Sequence, residues 1–423
     1  MRQLEGPRQN ELRSRDKRLP ARVPAAALFP LAPFPMAALF PLAALTASSA
    51  CKDEPSSETR QVQAATAAST CPAAGAVKRD VTLTKKCSPY RQPMGGIDVI
   101  NGATLTIEAG VEIIFNPNDW LEVGAGGKPG RLIAKGTAEE PIVFTAAGSD
   151  TDRGWMGVWF HSGTLEGSVL SHAVVRRAGG LNPLEKPKLP LGCITLTGVK
   201  PGSLEIADVR TERCIHGGLR MTESQVRLGS LSFANMPVGF NVDAASAGQI
   251  LQAALLSDVP QHVIRGGNVT GDARWLPQPV PYVVEGDVRV GGANSPKLTL
   301  AAGLELRFAK SRSLVVGEEQ PGSLSAEGSA EAPVTLTSAK EPWGGVRFMS
   351  QTLEGSRLSY VKVGQTSGEA AVAVRSEPGR VEIRDSTFSE NADDVLVGCG
   401  AKPKLASNRF GSKSGPSAEK PCK

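Results

Sequence analysis

The sequence predicts an all-β solenoid, a parallel β-helix, on three observations. Two phrases nearly coincide, WMGVWFHSGTLEGSVLS at 155–171 and WGGVRFMSQTLEGSRLS at 343–359, 188 positions apart. Short apolar strands with period-two alternation are split by Gly or polar corners, with no helical periodicity of any length. Apolar doublets recur at spacings of about 20–25 residues, as in the coils of a β-helix. A sandwich would instead want paired hairpins with Asn-Gly-type turns.

The chain has 423 residues, with 46 Gly, 31 Pro and a formal net charge of +5. That length suits one elongated repeat protein better than one ordinary globular domain. Seven Lys/Arg against three Asp/Glu in the first fifty residues account for +4 of the charge, so the remainder is about neutral. A basic surface for nucleic acid is therefore not expected.

Residues 1–50 read as a signal peptide. A basic start, MRQLEGPRQNELRSRDKRLPAR, precedes an apolar run that ends in small residues. Pro24, Pro30, Pro33, Pro35 and Pro41 argue against a membrane-spanning helix, because each removes a backbone donor. LTASSAC at 45–51 resembles the lipobox of bacterial lipoproteins, which implies lipidation of Cys51. Ser48 departs from that motif, which prefers Leu there, and ordinary cleavage after Ala50 is the alternative. Residues 51–70 are polar and small, a disordered tether without a core-forming pattern.

Residues 71–96 are expected to form an N-terminal cap and 97–412 the solenoid, with a C-terminal cap over 399–423. Two related blocks, 97–180 and 282–367, lie within it. GATLTIEAGVEIIF (102–115) corresponds to KLTLAAGLELRF (297–308), WLEVG (120–124) to SLVVG (313–317), and GRLIAKGTAEEPIVFT (130–145) to GSLSAEGSAEAPVTLT (322–337). Positions apolar in both copies should face inward: Val158 with Val346, Phe160 with Phe348, and Val111, Ile113 and Phe115 with Leu304, Leu306 and Phe308. Trp159 with Arg347 and Ile114 with Arg307 should face outward.

These motifs resemble the right-handed parallel β-helix repeats of bacterial surface and secreted proteins, in the pectate-lyase-like superfamily, over roughly residues 90–412. The resemblance implies fold more than activity, since that superfamily holds enzymes, adhesins and proteins without known activity. In such a stack Cys193 and Cys214, 21 residues apart, fall about one coil apart, within reach of a disulfide. Cys71–Cys87 and Cys399–Cys422 would staple the two ends. Together with Cys51 these account for all seven cysteines.

Chemistry is harder to place. The polygalacturonase motifs are fragmentary. Asp393-Asp394 and Ile215-His216-Gly217 lie too many coils apart to share one site, and inverting hydrolysis needs carboxyls about 6.5–9.5 Å apart. Asp150 and Asp152 in GSDTDRG have the alternation of a calcium loop, with Arg153, Arg176 and Arg177 nearby, although a polar corner insertion explains the same residues. His161, His172, His216 and His262 show no metal-ligand spacing, and His172 corresponds to Tyr360, which favours a structural role. An outward Trp159, with Arg347 and Arg307 on the same broad face, suggests a glycan- or wall-contacting strip. Packing of Trp159 beneath the tether or the 181–192 loop is the alternative.

The expectation is therefore a non-enzymatic, lipid-anchored envelope β-helix, structural or binding surface polysaccharide or a neighbouring envelope protein, without a cofactor. The alternative is a calcium-dependent lyase of acidic polysaccharide, its Ca²⁺ held by Asp150 and Asp152.

Overall fold

A computed structural model describes residues 71–72, 75–148, 154–181, 189–250, 255–411 and 416–419. Cys51, Asp150, Asp152 and Cys422 lie outside the described residues, as do the expected leader and tether. Every ladder between named strands among the described residues is parallel. The strands form sheets of 13, 11, seven and six members among the described residues. The chain is a parallel β-helix.

The stack starts earlier than the sequence suggests. Ala76–Val77, Val81–Leu83 and Tyr90–Arg91, within the expected cap, are already strands that pair with the following coil. At the other end Lys404–Ala406 and Ser417–Ala418 still pair in register. Among the described residues one α-helix, Ala244–Ile250, interrupts a pattern without helical periodicity. Asp243 starts it, accepting the Ser246 N–H through Oδ1 at 2.8 Å.

Alternation sorts the side chains as the two copies indicate. Val158, Phe160, Val346 and Phe348 are fully buried, as are Val111, Ile113, Phe115, Leu304, Leu306 and Phe308. Ile114, Trp159, Arg307 and Arg347 are half-buried on the outside. The copies also share corners. His172 and Tyr360 both have positive φ, 45° and 50°. A Cβ on Gly136 would sit 2.3 Å from the His172 carbonyl oxygen, and one on Gly328 2.2 Å from that of Tyr360. Only glycine fits where the corner closes this tightly.

Each block buries one tryptophan against a phenylalanine of the coil before it. Trp155 stacks on Phe115 at 4.0 Å, and Trp343 on Phe308 at 4.2 Å. Each indole N–H donates to a backbone carbonyl, Trp155 to Arg176 at 3.0 Å and Trp343 to Gly364 at 2.8 Å. Cys193 and Cys214 form a disulfide with a Cα separation of 5.6 Å, and Cys71 and Cys87 one of 5.7 Å. Cys399 is disulfide-bonded as well.

The two blocks do not occupy the same faces. The 13-stranded sheet carries Trp120–Val123 and Gly157–Phe160 of the first block. In the second block it carries Glu305–Phe308 and Val334–Ser338, while Ser313–Val316 and Gly345–Phe348 lie in the seven-stranded sheet. The second block is thus advanced by one face.

Because Trp343 combines full burial, ring stacking and a satisfied N–H, Trp343→Ala is expected to cost about 3–5 kcal/mol. Trp159→Ala, on the outer surface, should cost about 1 kcal/mol or less. Denaturant midpoints of the two variants check the contrast, and equal losses would refute the inward–outward assignment.

Candidate functional site

Among the described residues, two outward tryptophans, a histidine and two carboxyls gather across four successive strands of the 13-stranded sheet. These are β1 (Ile97–Val99), β2 (Trp120–Val123), β3 (Gly157–Phe160) and β4 (Ile194–Thr197). Their register sets Asp98 beside Glu122, Glu122 beside Trp159, and Trp159 beside Thr195. Strand spacing makes each step about 4.8 Å. Residues two positions away on a strand point the same way, so Trp120 and His161 join this face.

The two indoles are tied in opposite directions. Trp120 leans back over Gly96, where a Cβ would meet its ring at 2.7 Å, and its Nε1–H donates to Asp98 Oδ1 at 2.7 Å. Trp159 donates forward to Thr197 Oγ1 at 3.2 Å and stacks on His161, ring centroids 4.4 Å apart. Both are half-buried, with their N–H groups already satisfied. What each still offers is ring surface.

Glu122 is walled in between them. Its side chain keeps 18% of its accessible surface and that of His161 17%, with Glu122 Oε2 and His161 Nε2 3.8 Å apart. That is beyond hydrogen-bond range, and His161 Nε2 is buried without a partner. Burial, reinforced by the Asp98 charge, pushes the Glu122 carboxyl from 4.5 up to about 7. Burial alone pulls His161 from 6.5 down to about 4. Mutual attraction would move both the other way, so desolvation dominates and the 3.8 Å contact is not an ion pair near neutral pH. Between about pH 4.5 and pH 7 both groups are mainly uncharged.

The expected strip of Trp159, Arg307 and Arg347 does not form. Arg307 shares the outward row of Trp159 but six strands further along, about 29 Å away. It is paired with Glu305 at 2.6 Å. Arg347 lies on the seven-stranded sheet, because the second block is advanced by one face. Trp159 itself is half-buried against His161 and Thr197 rather than fully exposed.

Other expected chemistry resolves into structure. Asp394 is fully buried, taking hydrogen bonds from Asn391 at 3.1 Å and from the Gly411 N–H at 2.9 Å, and Asp393 caps the Asp394 N–H at 2.9 Å. His262 stacks on Phe240 at 4.1 Å and accepts the Phe240 N–H through Nδ1 at 3.3 Å. Burial holds its pKa near 4, as suits a core imidazole. His172 is a corner residue 3.7 Å from Asp208. Among the described residues no three His, Cys, Asp or Glu side chains are arranged to hold a metal ion. A surface groove lined by Glu166, Pro201, Glu205, Gln225 and Arg227 among others contains no aromatic ring. Its Glu205–Arg227 pair is largely solvated, so the groove lacks the converging groups of the tryptophan face.

A carboxyl whose folded pKa lies above its unfolded value favours folding fully below the unfolded value. That contribution is lost as pH rises through the folded one. For Glu122 the window runs from about 4.5 to about 7. Glu122→Gln should therefore gain stability over the parent across this window, up to roughly 3 kcal/mol by pH 8. Chemical denaturation of both proteins at pH 4.5, 6 and 8 measures it, and a difference that does not change with pH would show a solvated carboxylate.

Residues 75–164 match the family described as a pectate-lyase like beta helix domain. Neither the curated proteins nor the solved structures supply a match. The matched residues include Asp98, Trp120, Glu122, Trp159 and His161. With parallel coils, stacked inward rows and a matching domain at its first coils, this chain is a parallel β-helix repeat protein.

Proposed function

We propose that this protein is an exported envelope scaffold, lipid-anchored at Cys51, that binds surface polysaccharide through the Trp120–Trp159 face without turning it over. The observation that carries the reading is the pair of indoles whose N–H groups are bonded within the protein while their rings stay half open to solvent. The axial C–H face of a pyranose packs on an indole, and surrounding hydroxyls and carboxyls take its OH groups. The pectate-lyase-like match supports a carbohydrate-related role, and the disulfides suit an extracellular or envelope setting.

The second reading is a calcium-dependent polysaccharide lyase. One observation favours it: the uncharged His161 imidazole has a buried, unpartnered Nε2 beside the titrating Glu122, a combination that could receive a proton.

Purified protein should be screened on neutral and uronate-rich polysaccharides with and without Ca²⁺, following binding and ultraviolet absorbance of unsaturated products together. Binding without product, weakened tenfold or more in Trp159→Ala, is expected. Calcium-dependent product formation lost in Asp152→Ala or His161→Ala would replace the scaffold by the lyase.

A further inference from the structure

The duplication supplies an internal control for the tryptophan face. Inward positions are kept between the blocks: Leu121 corresponds to Leu314, Val123 to Val316, Val158 to Val346 and Phe160 to Phe348. Outward positions of the tryptophan face are replaced. Asp98, Trp120, Glu122, Trp159, His161 and Thr195 become Arg289, Ser313, Val315, Arg347, Met349 and Ala373. The same scaffold therefore stands without either indole, either carboxyl or the imidazole. A coil of this kind folds without these particular side chains, although Ser313, Val315 and Ala373 in their places are themselves buried.

The charge of the cluster selects among ligands. Asp98 and Glu122 are neighbours on β1 and β2, one strand step apart, and both border the indoles. No salt bridge joins either carboxyl to a lysine or arginine among the described residues, and the one basic side chain near Glu122 among the salt-bridge contacts is His161 at 3.8 Å. From β4 the face receives the hydroxyl of Thr197, while that of Thr195 is buried and bonded to the Gly192 backbone. Three cations border the face: Lys78, two residues on from the partner of Asp98 and so on the same side, Lys128 at the corner after β2, and Arg220 two strands beyond Trp159 in its row. A carboxylate-bearing sugar laid on the indoles would meet two acidic side chains that no lysine or arginine neutralises by a salt bridge among the described residues.

We infer that the Trp120–Trp159 face selects uncharged sugar residues and rejects uronates. This rests on the glycan-binding reading and narrows it to a ligand class. The two carboxyls accept hydrogen bonds from sugar hydroxyls, while their charge excludes a ligand carboxylate. The block comparison fits that division, since the equivalent face of the second block carries Arg289 and Arg347 instead.

Full-length protein should be titrated with a neutral β-glucan oligosaccharide and with an oligogalacturonate of equal length, at pH 5.5 and pH 8.5 and low salt. The neutral probe is expected to bind about tenfold more tightly at pH 8.5, where Glu122 is ionised. The preference should narrow to a few-fold at pH 5.5, where Glu122 carries its proton, and shrink again with added salt. Asp98→Asn with Glu122→Gln should abolish the pH dependence and admit the uronate. Asp98→Asn keeps an amide oxygen to accept the Trp120 N–H, so the platform survives the change. Equal or tighter uronate binding by the parent protein would overturn the inference and leave the glycan reading standing. No binding of either probe, nor of any polysaccharide in the wider screen, would overturn both.

Discussion

Everything in this molecule depends on one requirement: each coil completes its backbone hydrogen bonds only on the coils above and below it. Strand follows strand in parallel register from Ala76–Val77 to Ser417–Ala418, and no coil could close its ladder alone. The requirement fixes the rise per coil and forces an apolar inward row, because the carbonyls and amides are already committed to neighbours. It also explains why duplication is tolerated. A copied block arrives with both of its hydrogen-bonding edges complementary to what precedes and follows.

The outward rows carry no such obligation, and the chemistry has collected there. A pair of tryptophans, two carboxyls and an imidazole occupy one face of four consecutive strands, each group modified by the next. Trp159 and His161 wall off Glu122, Asp98 opposes its ionisation, and the result is a carboxyl that titrates near neutrality. None of these side chains is ionised or aromatic by demand of the fold, as the second block demonstrates with Ser313, Val315 and Met349 in their places.

Much of the fold was legible because the two copies act as paired readings of one pattern. Where both are apolar the side chain points in, and where Trp159 meets Arg347 it points out. The disulfide between Cys193 and Cys214 was legible for a related reason, since one coil length separates them. The site was not. Asp98, Glu122 and Trp159 are separated by 24 and then 37 residues, because corners and insertions differ in length, so no fixed period links them. Only the register of the strands makes them neighbours, and Glu122 looks like any surface carboxylate until Trp159 and His161 are placed over it. The one-face advance of the second block was equally hidden. Each local repeat is ordinary, and the phase is set by the intervening coils around Ala244–Ile250, which have no counterpart to be compared with. Arg347 was misplaced for that reason.

The two described disulfides have a mechanical meaning. Parallel coils pulled along their axis separate one at a time, like a zip, since each interface holds only its own short ladder. Cys71–Cys87 lies before β1, and Cys193–Cys214 joins the coil that begins at β4 to the next. The four strands that carry the tryptophan face are therefore bracketed by covalent stitches. A tear that begins at the far end of the solenoid must break a sulfur–sulfur bond before it reaches them.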